Sequence, residues 1–282
     1  MQLKEDNFPL TVKDYLVSNE EFTLVYDGKN KMLVTKPQPE GSKLIQYYES
    51  DQYISHTDSK KGVVSFLYHL VKNIALKNKL NLISSLKKNA QSILDIGAGT
   101  GDFLNFVSPV FSTVIGVEPN QKARELALQK GVILEENLKD IKEKSFDVIT
   151  MWHVLEHMPN LEETIQEIET LLKPNGILLV AVPNFNSFDA AYYKNYWAAF
   201  DVPRHLWHFS KTSINNFFSN KLLLQKIRPM IFDSFYVSIL SEKNKSGKLN
   251  LFKAFLVGLR SNISAWSTKE YSSLIYCYKK PK

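Results

Sequence analysis

The sequence predicts an α/β protein built on a doubly wound sheet, and three observations carry that reading. From Ser92 onward, apolar strand-length runs alternate with helix-period segments, the signature of crossover units around a mostly parallel sheet. Ile177 to Val182 is an unbroken apolar run, as expected of a central strand covered on both faces. A glycine loop, Gly97-Ala98-Gly99-Thr100-Gly101, joins the first of these strands to the first helix.

In chain order, Phe22–Tyr26 and Met32–Thr35 are β-rich runs separated by the turn Asp27-Gly28-Lys29-Asn30, which predicts a small N-terminal β-hairpin. Leu44 to Tyr53 reads as an aromatic helix and Val63 to Lys88 as an amphipathic one. Strands are then predicted at Ser92–Ile96, Thr113–Val117, Val132–Glu135, Phe146–Met151 and Ile177–Val182. Helices are predicted at Asp102–Phe106, Gln121–Lys130 (closed by Gly131) and Leu161–Leu172. A further helix, Thr212–Asn220, and strands Leu222–Arg228 and Ser272–Tyr278 complete the chain. Residues 1–60 are expected to cap the cleft of a main domain spanning 61–282. That domain carries a lid insertion at 184–210, aromatic and too long for an ordinary connection, and an insertion at 231–270 containing an apolar helix.

Composition narrows the class. The chain has 282 residues, is 44% hydrophobic and 23% charged, and reads as an ordinary globular enzyme. Its single cysteine excludes an internal disulfide framework and a cysteine zinc cage. The first residues lack a signal-peptide layout, and no apolar run reaches the roughly 18 residues of a spanning helix. Leu249 to Trp266 comes nearest but contains Lys253 and Arg260. A cytoplasmic location without a membrane partner is the expectation. The net charge of +6 comes from 31 Lys and 4 Arg dispersed among acids, a solubility pattern rather than a nucleic-acid footprint. Arginine is scarce, so Arg204 draws attention as a planar, bidentate donor.

The glycine loop separates two cofactor chemistries. A dinucleotide site wants a third glycine where this chain has Asp102, an anion where pyrophosphate would sit. A cofactor bearing a sulfonium and an ammonium tolerates that acid. Glu118 ends the next strand, 21 residues after Gly97, the place for a carboxylate that accepts ribose hydroxyls.

Taken together, Leu94–Phe103, Gly116–Asn120, Phe146–Met151, Leu155-Glu156-His157 and Leu171–Pro183 resemble the class I S-adenosylmethionine-dependent methyltransferases, in particular their small-molecule, ubiquinone-type O-methyltransferase branch. The resemblance covers roughly half the chain. It implies a Rossmann-like sheet of seven strands, the last two forming a C-terminal antiparallel hairpin. It implies that the backbone around Gly97, Ala98, Gly99 and Gly101, with Met151, holds the amino-acid end of S-adenosyl-L-methionine, and that Asp95 and Trp152 are among the cofactor-binding residues. Glu118 and Pro119 would sit at the ribose, and Asn137 and Leu138 would flank the adenine. His153 would stand at the cleft mouth as a candidate general base.

Two clusters need weighing beside that. His153-Val154-Leu155-Glu156-His157 fits a zinc-peptidase pattern, yet it follows an apolar strand instead of lying on a helix, so no metal is expected there. An Asn/Asp-Pro-Pro-aromatic loop, common in adenine and amide methylases, is replaced by Trp152-His153-Val154-Leu155. The second cluster, Pro203-Arg204-His205-Leu206-Trp207-His208-Phe209-Ser210, resembles segments of methyltransferases linked to cell-envelope and other small-molecule biosynthesis. Two readings of it stand: Arg204, with Tyr192 and Trp197, meets an anionic or polar group of the substrate under an aromatic lid, or Arg204 caps carbonyls in a structural plug. Many relatives also carry a C-x-x-C-G zinc treble before a Pro-x-Pro; here those cysteine positions are Asp27 and Asn30. Tyr48 and His56 either fold over the cleft or belong to a packing helix.

The reaction this implies is in-line transfer of a methyl group to a small-molecule acceptor, at oxygen before nitrogen or carbon, with His153, His205 and His208 as unranked base candidates. A non-catalytic cofactor-binding scaffold is the rival, followed by a zinc hydrolase using His153, Glu156 and His157. The oligomeric state stays open.

Overall fold

The computed structural model describes residues 3–48, 63–141 and 145–282; His56 and Tyr53 lie outside them. The N-terminal hairpin is present as β1 (Leu10–Lys13), β2 (Glu21–Asp27) and β3 (Met32–Lys36), all antiparallel. The turn between β2 and β3 is held by Asp27, whose carboxylate accepts the N–H groups of Lys29 and Asn30 and the Asn30 side-chain amide. Asp27 and Asn30 are the two positions at which the resemblance implies cysteines. Here a local hydrogen-bonded turn closes the hairpin.

The main sheet contains β4 (Ser92–Ile96), β5 (Thr113–Val117), β6 (Phe146–Trp152) and β7 (Leu172–Pro183). A two-residue strand, β8 (Trp207–His208), leaves that sheet, and β9 (Leu223–Pro229) and β10 (Ser273–Lys279) return to it. The spatial order is β5-β4-β6-β7-β10-β9. Strands β4 to β7 run parallel, and β10 is antiparallel to both β7 and β9.

Six strands form this sheet where seven are expected. Val132–Glu135 supplies only a parallel bridge between Glu135 and Val117, in the seventh strand's place beyond β5. Ile133 is 77% exposed, so this edge segment has little apolar burial to prolong the pairing. Strand β7 also begins before the expected Ile177. Lys173–Gly176 lies inside it as an irregularity, with Asn175 at φ +60 and a register shift against β6.

Side-chain alternation divides the core. Leu94, Ile96, Ile149, Met151, Leu178 and Val180 pack on one face with α5 (Leu161–Leu171) and α7 (Lys211–Phe218). Ile93, Val148, Ile177, Leu179 and Ala181 pack on the other with α2 (Val63–Leu86) and α3 (Asp102–Val107). The remaining helices are α1 (Gly41–Gln46), α4 (Gln121–Leu128), α6 (Phe188–Tyr193), α8 (Asp233–Ser246) and α9 (Leu251–Thr268). The insertion before β10 therefore holds two helices where one apolar helix is expected. Strand β8 pairs with β3, Leu33 opposite His208 and Val34 opposite Trp207. Segment 184–210 is thus joined to the N-terminal hairpin as the fourth strand of a second sheet, β1-β2-β3-β8.

Candidate active site at the strand ends

The chain leaves β4 toward β5 on one side and returns to β6 on the other. The crevice beyond the carboxyl ends of β4 and β6 is therefore a topological switch point, where doubly wound sheets bind ligands. The glycine loop and the His153 loop frame it. Gly97 has φ +71, and a Cβ there would lie 2.3 Å from Val154 Cγ2, so the two loops touch only because residue 97 has no side chain. Gly99, at φ +55, faces open space with nothing within 4 Å of an added Cβ. The Gly97 and Ala98 N–H groups both donate to Val117 O, at 2.8 and 2.9 Å, tying the loop to the end of β5.

Glu118 is set beside the loop by those bonds. Its Oε2 accepts the Gly99 N–H at 2.8 Å and its Oε1 the Asn120 N–H at 2.9 Å. Burial holds its pKa above the ordinary value despite these donors. Asp95 is buried and accepts from Thr150 Oγ1 at 2.5 Å; burial pushes it up to about 7, against the pull of Thr150 and Lys79. Met151 is buried at the end of β6. Pro119 is exposed beyond Glu118, and Asn137 and Leu138 enter a short turn after the Glu135 bridge. The predicted cofactor residues thus collect around the ends of β4, β5 and β6.

Two charged groups here escaped sequence reasoning. Lys79 of α2 places its Nζ 4.1 Å from the Trp152 ring centroid. Burial lowers its pKa to about 8, while Asp95 and Asp233 hold it up. It is one lysine among 31, with nothing in its neighbourhood in sequence to mark it. Asp233, the first residue of α8, reaches His153 from the far insertion. Asp102, read as an acid that the cofactor tolerates, is paired with Lys72 at 2.7 Å and Lys130 at 3.0 Å. It joins α3 to α2, and its charge is neutralised.

The site suits S-adenosylmethionine on its own terms. It offers open space over Gly99, a carboxylate at Glu118, and the buried Trp152 Nε1, which has no hydrogen-bond partner among the described residues.

His153 differs from the expected base. Its backbone is left-handed, φ +59, and its N–H donates to Ala181 O at 2.9 Å. The ring lies between two carboxylates, Nε2 at 3.1 Å from Asp233 Oδ2 and Nδ1 at 3.4 Å from Glu156 Oε1. Burial alone would lower its pKa, but the two carboxylates push it up to about 10. At neutral pH it is an imidazolium and accepts no proton. His157, by contrast, is lowered to about 4 by burial and by His205, with Nδ1 2.9 Å from Tyr48 Oη. The expected helix for a zinc-peptidase pair is absent: Leu155–His157 is a single 3-10 turn. The structure instead gathers Glu156, His157 and His205, whose ligand-capable atoms lie within 4.8 Å of one another.

The aromatic segment turns inward. Arg204 is 1% exposed. Its Nη2 donates to Asp14 at 2.9 Å and Asp201 at 2.7 Å, its Nε to Asp201, and its Nη1 to Tyr47 O at 3.4 Å. This guanidinium joins segment 184–210 to the N-terminal sheet, and its pairing with protein carboxylates stands where a substrate anion was expected. Trp197 is buried with its Nε1 donating to Asp189 at 2.8 Å. Thr35 donates to His205 O at 2.6 Å, so the His208 ring donates through Nε2 to Thr35 Oγ1, 3.0 Å away. Burial keeps His208 neutral, well below its usual pKa. His205 Nδ1 is occupied by Ala199 O at 2.9 Å. Tyr192 is half-buried and stacks on Phe188, while Tyr48 reaches Arg204 O at 3.3 Å. His205 and His208 therefore belong to the inner wall and His153 to the cleft.

A doubly wound sheet with a glycine loop and a carboxylate at its switch point is the architecture of nucleotide-cofactor-binding α/β proteins. The sequence model of the family described as methyltransferase domain matches residues 69–221, more than half of the chain. The chain belongs to this methyltransferase family, of the class I S-adenosylmethionine-dependent type. It is similar to ubiquinone biosynthesis O-methyltransferase of Actinobacillus pleuropneumoniae serotype 5b (strain L20), 31% identical over 108 residues, covering 33% of this chain and 46% of that protein. It is 28% identical over 189 residues to the ubiquinone biosynthesis O-methyltransferase of Pelagibacter ubique (strain HTCC1062), covering 58% and 75%. The chain spans about half the length of the first curated relatives it matches. Phosphoethanolamine N-methyltransferase 2 of Haemonchus contortus, solved with S-adenosyl-L-methionine, has a TM-score of 0.56 at 15% identity, covering 98% of this chain and 72% of that one; this likeness concerns the fold.

Proposed function

We propose that this protein transfers a methyl group from S-adenosylmethionine to an oxygen of a small-molecule acceptor in a biosynthetic reaction. The observation that carries the reading is Glu118, hydrogen-bonded to the Gly99 N–H at 2.8 Å beside the open face of the glycine loop. The choice of oxygen is supported by the curated relatives named as O-methyltransferases. When bound, S-adenosylmethionine supplies an activated methyl group, so no metal is required for activation. The backbone of Gly97–Gly101, with Asp95, Met151 and the Trp152 N–H, would hold its amino-acid end. Glu118 and Pro119 would hold the ribose, and Asn137 and Leu138 the adenine. The inner wall built on Arg204, Trp197, His205 and His208 would fix the cleft's shape and exclude water. His153, as an imidazolium, would orient Glu156 and Asp233 at the mouth.

Titration calorimetry should show S-adenosylhomocysteine binding more tightly than NAD; the reverse order would overturn the cofactor assignment. Methyl transfer from labelled S-adenosylmethionine to a panel of small hydroxylated acceptors then separates an enzyme from a scaffold that only binds. Elemental analysis should find no stoichiometric zinc, whereas one tightly held ion per chain would move the chemistry to Glu156, His157 and His205.

A further inference from the structure

Helix α9 is inside out. The residues it packs against the protein are small: Ala254, Val257, Gly258, Ser261 and Ala265. Its large apolar residues face solvent, with Phe252 74% and Trp266 68% exposed, and Phe255, Leu256, Leu259 and Ile263 exposed between them. They recur at helical spacing and form one stripe along the helix. The small face serves packing on α8: a Cβ on Gly258 would lie 2.8 Å from Phe235 Cδ1, and Phe235 stacks on Phe255 at 5.4 Å. The outer stripe therefore belongs to a well-packed helix pair, and nothing among the described residues covers it.

The charge around the stripe has one sign. From residue 243 to 269 the chain carries Lys243, Lys245, Lys248, Lys253, Arg260 and Lys269 and no Asp or Glu. Among the described residues Lys253 is the one of these paired with an acid, Glu242 at 3.1 Å, while Lys245 and Arg260 lie over the Tyr192 and Phe188 rings. An exposed apolar stripe with Trp and Phe, flanked by cations, is the composition of a helix lying in the plane of a membrane interface. A second copy of the chain would set this cationic surface against itself. A nucleic acid would meet the lysines and leave Phe252 and Trp266 bare.

We propose that the outward face of α9, with the lysines preceding it, docks on an anionic lipid bilayer. The expectation of no membrane partner rests on span length, and no helix among the described residues is long and apolar enough to cross a membrane. Lying on a surface needs only one apolar face and a basic rim. The surface runs to the cleft, because the exposed Ile231 and Phe232 lead into Asp233, whose carboxylate meets His153. On the methyl-transfer reading, docking presents the cleft to acceptors dissolved in the bilayer.

The test is flotation of the full chain, without cofactor, on phosphatidylcholine vesicles with and without phosphatidylglycerol. Binding is expected only with the anionic lipid and is expected to fall steeply with added salt. Phe252→Ser/Trp266→Ser and, separately, Lys243→Glu/Lys248→Glu should each weaken it by about tenfold or more. All four sites are exposed, so calorimetric affinity for S-adenosylhomocysteine should stay at the parent value and report intact folding. Tryptophan emission should shift to the blue on anionic vesicles, and the shift should vanish in Trp266→Phe. Binding that is absent, indifferent to lipid charge or unchanged in the apolar double variant overturns the proposal. So does light scattering that shows a dimer split by Phe252→Ser/Trp266→Ser without vesicle binding. Neither result bears on cofactor affinity, which is measured separately.

Discussion

The glycine loop and the aromatic segment both border the cleft, yet they use charge in opposite ways. Around the loop, Asp95 and Glu118 are held by a hydroxyl or backbone N–H groups, burial raises both pKa values, and the space over Gly99 is open. In the aromatic segment, Arg204 is matched by Asp14 and Asp201, and Arg204 holds both carboxyls below their ordinary values despite burial. One region holds its carboxylates with neutral donors beside open space, whereas the other pairs its charges within the fold. Substitutions in the first should alter binding and leave stability nearly unchanged. Substitutions in the second should do the reverse.

The largest effect should come from Arg204→Ala. Removing the guanidinium leaves two carboxylates without their partner, which costs about 3–5 kcal/mol for a buried pair. Thermal unfolding should show a strongly lowered Tm, and Arg204→Lys should rescue it only in part because an ammonium lacks the planar fork. If Arg204→Ala melts with the parent but loses turnover, the segment is a substrate lid and the contrast between the regions collapses.

Glu118→Ala should come next and fall on the other side of the comparison. Losing the bonds expected to the ribose should weaken S-adenosylmethionine by about 1.5–3 kcal/mol, with little change in Tm. Unchanged calorimetric affinity would remove Glu118 from the site.

The smallest effect concerns His153, between the two regions. Its folded pKa of about 10 lies above the unfolded value of 6.5, so its pairing stabilises fully below about pH 6.5 and this is lost as pH rises through 10. The ring is one-third exposed, so solvent screening limits the Asp233 share to about 1 kcal/mol. Asp233→Asn should therefore lower stability at pH 6 and converge on the parent near pH 10. NMR titration should show the His153 pKa falling in that variant; an unshifted value would detach α8 from the cleft.

Much of the cofactor half was legible because its information is local. Asp95, Gly97 and Glu118 fall within a strand–loop–helix–strand unit whose hydrophobic period and glycines specify it directly, and such units place their loops at one end of the sheet. The seventh strand was over-read: Val132–Glu135 has a strand's composition, but an edge with Ile133 in solvent supports only a bridge.

The sequence by itself determined the fold class, the switch point and the chemistry of the glycine loop. Tertiary structure alone decided that Arg204 pairs with Asp14, 190 residues away in the chain, that Trp207–His208 completes the N-terminal sheet, and that His153 is flanked by Asp233. It also decided which face of α9 looks outward, since the sequence shows only an apolar helix. Period and turn chemistry depend on neighbours a few residues apart, whereas these contacts join segments that only the folded chain brings within reach, where burial and pairing set each group's charge and exposure.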